Sequence, residues 1–478
     1  MAIFFSEGEI KKRPGVYQRH TNIGFSKVVS STDGFCAIPV KAKWGPLNKV
    51  LTNVSEADLW SNYGSGEYGD GYTVPAAAAM FAGGASTVYT YRMGSGGKQA
   101  SKILVAGSED KDDLLVSAKY PGTMPIKVAV QSKLGDNSRK QFLVYVDTTQ
   151  TEVWEFAADG KTEGENLIAA VADSKYVNIT GTAAAVPTLA VASGALEGGE
   201  DPTVTNESYS AAFTALEPYY YNTIALDVDD DENMTLSELL KEYLDSAYQL
   251  GKLGIAVVGT TVTDHDFDDR LELCKAFNDA KVVFLGSGYK VGSATREGAL
   301  AICYTAGVIA ATPSNQGIVH AVIDGATDLC ESLSFRQYEE AIASGMLMIS
   351  RSTDGEIWYD SGVNTLTAPE VGTQDDGWKK IRRTKTRFEM IDRIDRALTP
   401  KVGRISAGTD GIADVVQTGQ RVLNAMVTEG KLMAGATFAE DPANPASGDS
   451  AWFIIQADDL DSLEMIYLQY QFRYSQNS

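Results

Sequence analysis

Four short stretches carry residue types that could do chemistry. Gly64-Ser-Gly66-Glu-Tyr-Gly69 spells the glycine pattern that cradles a dinucleotide pyrophosphate. That chemistry needs the glycines to follow a strand and open a helix, so that phosphate meets the free N–H groups of the helix start. Here they follow Leu59 and Trp60 of a predicted helix, so Gly64 reads as that helix's stop signal. Gly286-Ser-Gly288 has the better context, after the apolar run Val282–Leu285, but the next glycine, Gly292, arrives one position late. No complete P-loop pattern occurs.

Asp227-Val-Asp229-Asp-Asp231-Glu-Asn233, with Glu238 at the twelfth position, resembles a calcium loop, but Glu232 stands where the sharp turn needs glycine. The competing reading is a helix start, with Thr235-Leu-Ser-Glu238 as a capping box and the carboxylates facing the positive end of the dipole. Asp264-His265-Asp266 with Asp268 and Asp269 also falls where a helix should begin, so acidic capping accounts for it. His20 and His320 have no evident partner, and neither GxSxG nor HExxH occurs. The cysteines Cys36, Cys274, Cys303 and Cys330 show no CxxC or metal-ligand spacing, and read as small buried apolar residues in a reducing compartment. No catalytic, metal or cofactor site is expected.

One charge pattern stands out. Between Lys379 and Arg404 lie ten basic residues, among them Lys379, Lys380, Arg382, Arg383, Lys385, Arg387, Arg393 and Arg396, against only Glu389, Asp392 and Asp395. The whole chain carries −22, so this is a basic segment on an acidic protein. It suits an acidic partner surface, or acids of its own or a neighbouring subunit. The overall charge argues against nucleic-acid binding.

The elements that must position these groups divide the 478 residues into several domains. Gly34–Pro39 and Ser86–Tyr91 read as strands around a helix capped by Ser55. From Lys98 to Phe213 short strands follow one another with turn signals between them: Lys102–Ala106, Leu114–Tyr120, Ile126–Gln131, Gln141–Asp147 and Glu152–Phe156. From Tyr219 to Ala311 apolar runs alternate with helical patterns, βαβ grammar that predicts a helix-covered sheet with Val257, Val258, Val283 and Phe284 buried in it. The fold class is therefore α/β, mixed α+β, with a β-rich insertion. No apolar run approaches the roughly 20 residues of a membrane span, and no signal-peptide pattern opens the chain, so cytoplasmic synthesis and no membrane insertion are expected.

Both chain ends read as strands. Pro14 and Gly15 preclude a helix at Arg13–Tyr17, and Ile466, Leu468, Tyr470 and Phe472 alternate with Tyr467, Gln469 and Gln471. Terminal strands need a sheet to join, and that sheet can belong to another subunit.

Several landmarks, in order along nearly the whole length, give the chain a resemblance to the sheath proteins of contractile phage tails and contractile bacteriocins. They are Arg13-Pro-Gly-Val-Tyr17, Ile38-Pro39 with Trp44-Gly45-Pro46, Ala306-Gly-Val-Ile-Ala310, Gly362-Val-Asn-Thr-Leu-Thr367 and the Asp458–Tyr470 ending. The resemblance implies hexameric rings stacked around a tail tube, contacts with baseplate and tail terminator proteins, strand exchange by the terminal arms, and a single contraction. It implies an N-terminal arm over 1–19, a middle α/β domain over 20–95 with 214–371, an outer insertion over 96–213, an inner domain over 372–460 and a C-terminal arm over 461–478. The basic side chains would face the tube. Pro14, Gly15, Val16, Tyr17, Ile466, Leu468, Tyr470 and Phe472 would pair between subunits, with Gly8, Asp458, Asp459 and Asp461 as hinges. A soluble α/β enzyme and a non-contractile shell protein are the alternatives.

Overall fold

The computed structural model describes residues 3–4, 17–18, 33–69, 71–105, 114–181, 186, 188–230 and 234–472. The chain forms two compact units, Met1–Thr32 and Asp33–Ser478. In the first, Ile3–Phe4 pairs in parallel with Tyr17–Gln18.

The second unit is built on a seven-stranded sheet. Its strands lie in the order Met346–Leu347, Val282–Leu285, Ile255–Gly259, Thr223–Ala225, Phe35–Val40, Thr87–Arg92 and Val50–Asn53. All neighbours are parallel except the last pair. Alternate residues of one strand feed two separate cores. Ile255, Val257, Val283 and Leu285 pack on one face, and Ala256, Val258, Val282 and Phe284 on the other. With both faces covered, these strands had to read as unbroken apolar runs, as expected from the sequence.

The helix Ala299–Ala311 is apolar all round because it lies inside the first core. A Cβ on Gly307 would stand 2.1 Å from the carbonyl oxygen of Met80, in the neighbouring helix Val74–Ala82, so the close approach of the two helices requires glycine there.

The insertion leaves and re-enters this unit through facing backbone bridges, Ser95 to Thr203, Lys98 to Glu200 and Ser101 to Glu197. It holds a four-stranded antiparallel sheet, a three-stranded one and the helix Glu163–Val171, around Val116, Val128, Phe142 and Leu167. All five strands expected there form within three residues of their expected limits. The expected end at residue 213 needs correction. Asn206–Leu216 is a helix whose Tyr209, Ala212, Phe213 and Leu216 belong to the second core of the central sheet.

After the sheet come a long helix, Ile381–Leu398, then Thr409–Thr428 and the hairpin Thr437–Glu440 with Phe453–Gln456. Ile394, Leu423, Met426, Leu432 and Phe438 form their small core. A Cβ on Gly419 would come within 2.3 Å of the Phe438 ring, so helix and hairpin touch through a bare backbone.

Candidate functional site

The stretches with chemical potential serve structural ends. Gly64 caps the helix Glu56–Tyr63, its N–H donating to the carbonyl of Trp60 at 2.9 Å. At Gly286 the thioether of Met346 already stands 2.4 Å from where a Cβ would be. Asp227 is fully buried and accepts hydrogen bonds from the hydroxyls of Thr73 and Tyr209, and burial pushes its pKa up. Asp266 caps the helix Phe267–Phe277 through the N–H groups of Asp268 and Asp269, at 2.9 and 3.0 Å. The expected capping box at Thr235 is corrected. Thr235 is already helical, and the capping carboxylate is Asp230, which accepts from the N–H groups of Leu236 and Ser237 at 3.0 and 2.6 Å.

Asp229, Asp230, Asp264, His265, Asp269 and Glu272 line a cleft of about 750 Å³ beside the carboxyl ends of Thr223–Ala225 and Ile255–Gly259. Ligands commonly bind at that end of an open α/β sheet, but walls this acidic repel phosphate groups. Among the described residues no group of three or more His, Cys, Asp or Glu is placed to hold a metal ion. All four cysteines are free thiols, and burial pushes those of Cys36 and Cys274 up to about 12, well away from nucleophilic use. His320 stacks on Trp358 with ring centres 4.1 Å apart, and His20 lies outside the described residues.

The basic segment forms the helix Ile381–Leu398. Ile381, Thr384, Lys385 and Phe388, at helical spacing, are its buried side. Its charges are matched by acids brought from elsewhere in the chain. The guanidinium groups of Arg383 and Arg387, one turn apart, both donate to Asp459 at 3.0 Å. Burial alone would raise the pKa of Asp459, but these two hydrogen bonds outweigh it and hold the carboxyl below its usual range. Arg387 also lies over the Trp378 ring, 4.6 Å from its centre. Lys380 pairs with Glu464, Arg382 donates to the Ser462 hydroxyl at 3.0 Å, and Lys379 pairs with Asp376 at 2.9 Å.

Further along the helix, Arg393 forks onto Glu429 with two bonds of 2.8 Å. Arg393 and Lys431 also meet the buried Glu389, at 2.6 and 2.7 Å. Arg396 pairs with Asp392 and lies over Tyr220, 4.3 Å from the ring centre.

Lys385 was expected on the surface with the others, and this is corrected. Its ammonium is buried and donates to the carbonyl oxygens of Ile309 at 2.9 Å, Ala310 at 2.8 Å and Thr312. It also pairs with Asp33 at 3.0 Å. The helix Ala299–Ala311 ends with unpaired carbonyls and a partial negative charge, and Lys385 satisfies both. Burial nonetheless pushes its pKa down. Of the two readings of the basic segment, pairing with acids of its own chain is what these side chains do.

The Gly362–Thr367 landmark joins this helix to the sheet. The buried Asn364 donates to the carbonyls of Ala280 and Trp378, at 3.1 and 2.7 Å, and the Gly362 carbonyl accepts from the N–H of Ile381 at 2.9 Å.

The C-terminal segment is held as far as Glu464. The Asp458 carbonyl accepts from Met433 N–H at 2.8 Å, and Leu460 N–H donates to the Lys431 carbonyl at 3.1 Å. Asp458 and Asp459, expected as hinges, are bound in this way to the body of the chain. Leu463, Met465, Ile466, Leu468, Tyr470 and Phe472 each remain at least 70% exposed, and so does Tyr467 between them. Tyr470 and Phe472 stack at 6.4 Å, the neighbour relation of residues two apart on an extended backbone. At the other end, Tyr17 pairs with Ile3, while Gly8 and Pro14–Val16 lie outside the described residues.

Residues 203–364 match the family model of the phage tail sheath protein central domain. The chain is 26% identical over 450 residues to the uncharacterized protein YqbK of Bacillus subtilis, covering 89% of this chain and 88% of that protein. It is 22% identical over 451 residues, with the same coverage, to the phage-like element PBSX protein XkdK of the same organism. Its fold superposes on the sheath tail protein Lin1278 of Listeria innocua with a TM-score of 0.69, at 19% identity, over 90% of this chain and 96% of that one. The helical sheath of the anti-feeding prophage in its contracted state gives 0.52 at 13% identity, over 97% and 99%. The resemblance to contractile tail sheath proteins therefore holds, in the central domain and in the mixed α/β fold.

Proposed function

We propose that this chain, which carries a phage tail sheath central domain, is the sheath subunit of a contractile injection particle. It acts by assembly and movement rather than by catalysis, polymerising with copies of itself as stacked hexameric rings around a tail tube. Baseplate and terminator proteins bound the polymer at its two ends.

The observation that carries this reading is the C-terminal arm. A run of apolar side chains, extended and uncovered in its own chain, costs solubility unless a second copy covers it. An added strand supplies the cover, with main-chain hydrogen bonds for affinity and side-chain pockets for specificity. Each subunit gives an arm and receives one, so the contact is heterologous and propagates as a lattice. Backbone pairing of this kind turns with the sheet that holds it, which suits an extended lattice trapped above a contracted one.

In this arrangement the β-rich insertion projects outward, joined to the body through its paired entry and exit strands and through Trp44, which packs into the insertion's core. The part beginning with the basic helix faces the tube. Of the eight side chains expected to face the tube, Lys379 and Arg396, 36% and 38% exposed, have the most access to an acidic tube surface.

Electron microscopy of the purified full-length protein in negative stain tests the proposal. Hollow cylinders or rings are the expected result, and uniform small particles under all assembly conditions would refute it.

A further inference from the structure

We infer that the helix Ile381–Leu398 is the mechanical junction of the subunit, fastening the roots of both terminal arms by charge. The inference rests on the sheath reading for its purpose, but the fastening itself is a property of the single chain.

At the C-terminal root, four basic side chains at the start of the helix hold three residues of the departing segment. Arg383 and Arg387 hold Asp459, Arg382 holds Ser462, and Lys380 holds Glu464. Beyond Glu464 the arm is exposed. At the N-terminal root, Lys385 holds Asp33, where the larger unit begins. The next residue, Gly34, donates its N–H to the Ala310 carbonyl at 2.8 Å, one of the carbonyls that Lys385 also binds.

The spacing explains how one helix does both. Residues four apart share a face, so Arg383 and Arg387 point the same way, while Lys385 midway between them points to the opposite side. One face takes the C-terminal root and the other takes the core and the N-terminal root. The intervening backbone is a continuous helix of 18 residues. Tension on either arm is thus delivered to one stiff element, itself tied to the sheet through Asn364 and Gly362. Charge suits the task because a forked guanidinium–carboxylate pair fixes direction as well as distance, and partial burial keeps it from being screened away. This assigns Lys380, Arg383, Lys385 and Arg387 to anchoring the arms, where the sequence suggested contact with a tube.

Amide hydrogen exchange on the full-length, unassembled protein tests the junction. Arg383→Gln with Arg387→Gln should speed exchange across residues 456–464 at least tenfold and leave Gly34 and residues 309–313 as in the wild type. Lys385→Met should speed exchange at Gly34 and residues 309–312 well beyond any change at residues 456–464. Lys380→Glu should loosen residues 461–465, and adding Glu464→Lys should restore their protection. Unchanged exchange at 456–464 in the double arginine variant would overturn the inference. So would loosening spread evenly over the chain, or a charge swap without rescue. None of these readouts requires polymers, so a protein that never forms sheaths would refute the proposed function while leaving the junction standing.

Discussion

The ammonium of Lys385 lies 3.0 Å from the carboxylate of Asp33, across the carboxyl end of a helix that contains neither residue. A charge inside a protein is tolerated only when fully partnered, and here a carboxylate and three carbonyl oxygens provide the partners.

Lys385→Met should therefore destabilise the chain by about 3–5 kcal/mol, because it removes the buried charge that Asp33 and the carbonyls of Ile309 and Thr312 face. Equilibrium denaturation checks this. Reversing charge at Arg382 and Arg383 alone should cost far less, since both side chains keep access to water.

Acid should release the C-terminal root. The carboxyl of Asp459 has a lower pKa in the folded chain than its ordinary 3.8, so its contribution is fully present above that value. It is lost as pH falls through the lower, folded-state value. The stability gap between wild type and Asp459→Asn should be constant near about pH 6 and close as the solution is acidified below about pH 4.

Ending the chain at Glu464 should leave a folded monomer, because residues 465–472 bury little of themselves against the rest. Sedimentation velocity should show the shortened protein as a single small species under conditions where the full chain polymerises. A single substitution, Leu468→Asp, should weaken polymerisation in the same direction without changing the melting temperature.

Gly419→Ala is predicted to destabilise, by about 1–3 kcal/mol, against the ordinary preference of helices for alanine. The added methyl would meet the Phe438 ring at 2.3 Å, so the hairpin must shift away from the helix. Thermal denaturation gives the sign directly.

Much of the architecture was legible because its causes are local or periodic. Ser55 accepts from the Asp58 N–H at 3.3 Å as the expected cap, and Val257, Val258, Val283 and Phe284 are buried as their unbroken run implied. The helix Asn206–Leu216 was hidden inside a β-rich stretch. Its start signal was weak, a Ser208 hydroxyl accepting from the Thr205 N–H at 3.1 Å, and its apolar face matters only once the sheet is in place.

The sequence by itself determined the alternation of strand and helix, the alternating apolar side chains of the C-terminal segment, and the density of positive charge over 379–404. These follow from backbone preference and side-chain spacing, which neighbours along the chain impose. Only the tertiary structure decided what that charge is for. Asp33, Asp375, Asp459 and Glu464 reach the basic helix from separate stretches of the chain, and nothing in residue order marks them as its partners. Nor could periodicity tell a strand buried at home from one that keeps both faces exposed, because alternation records the shape of a segment and not who covers it.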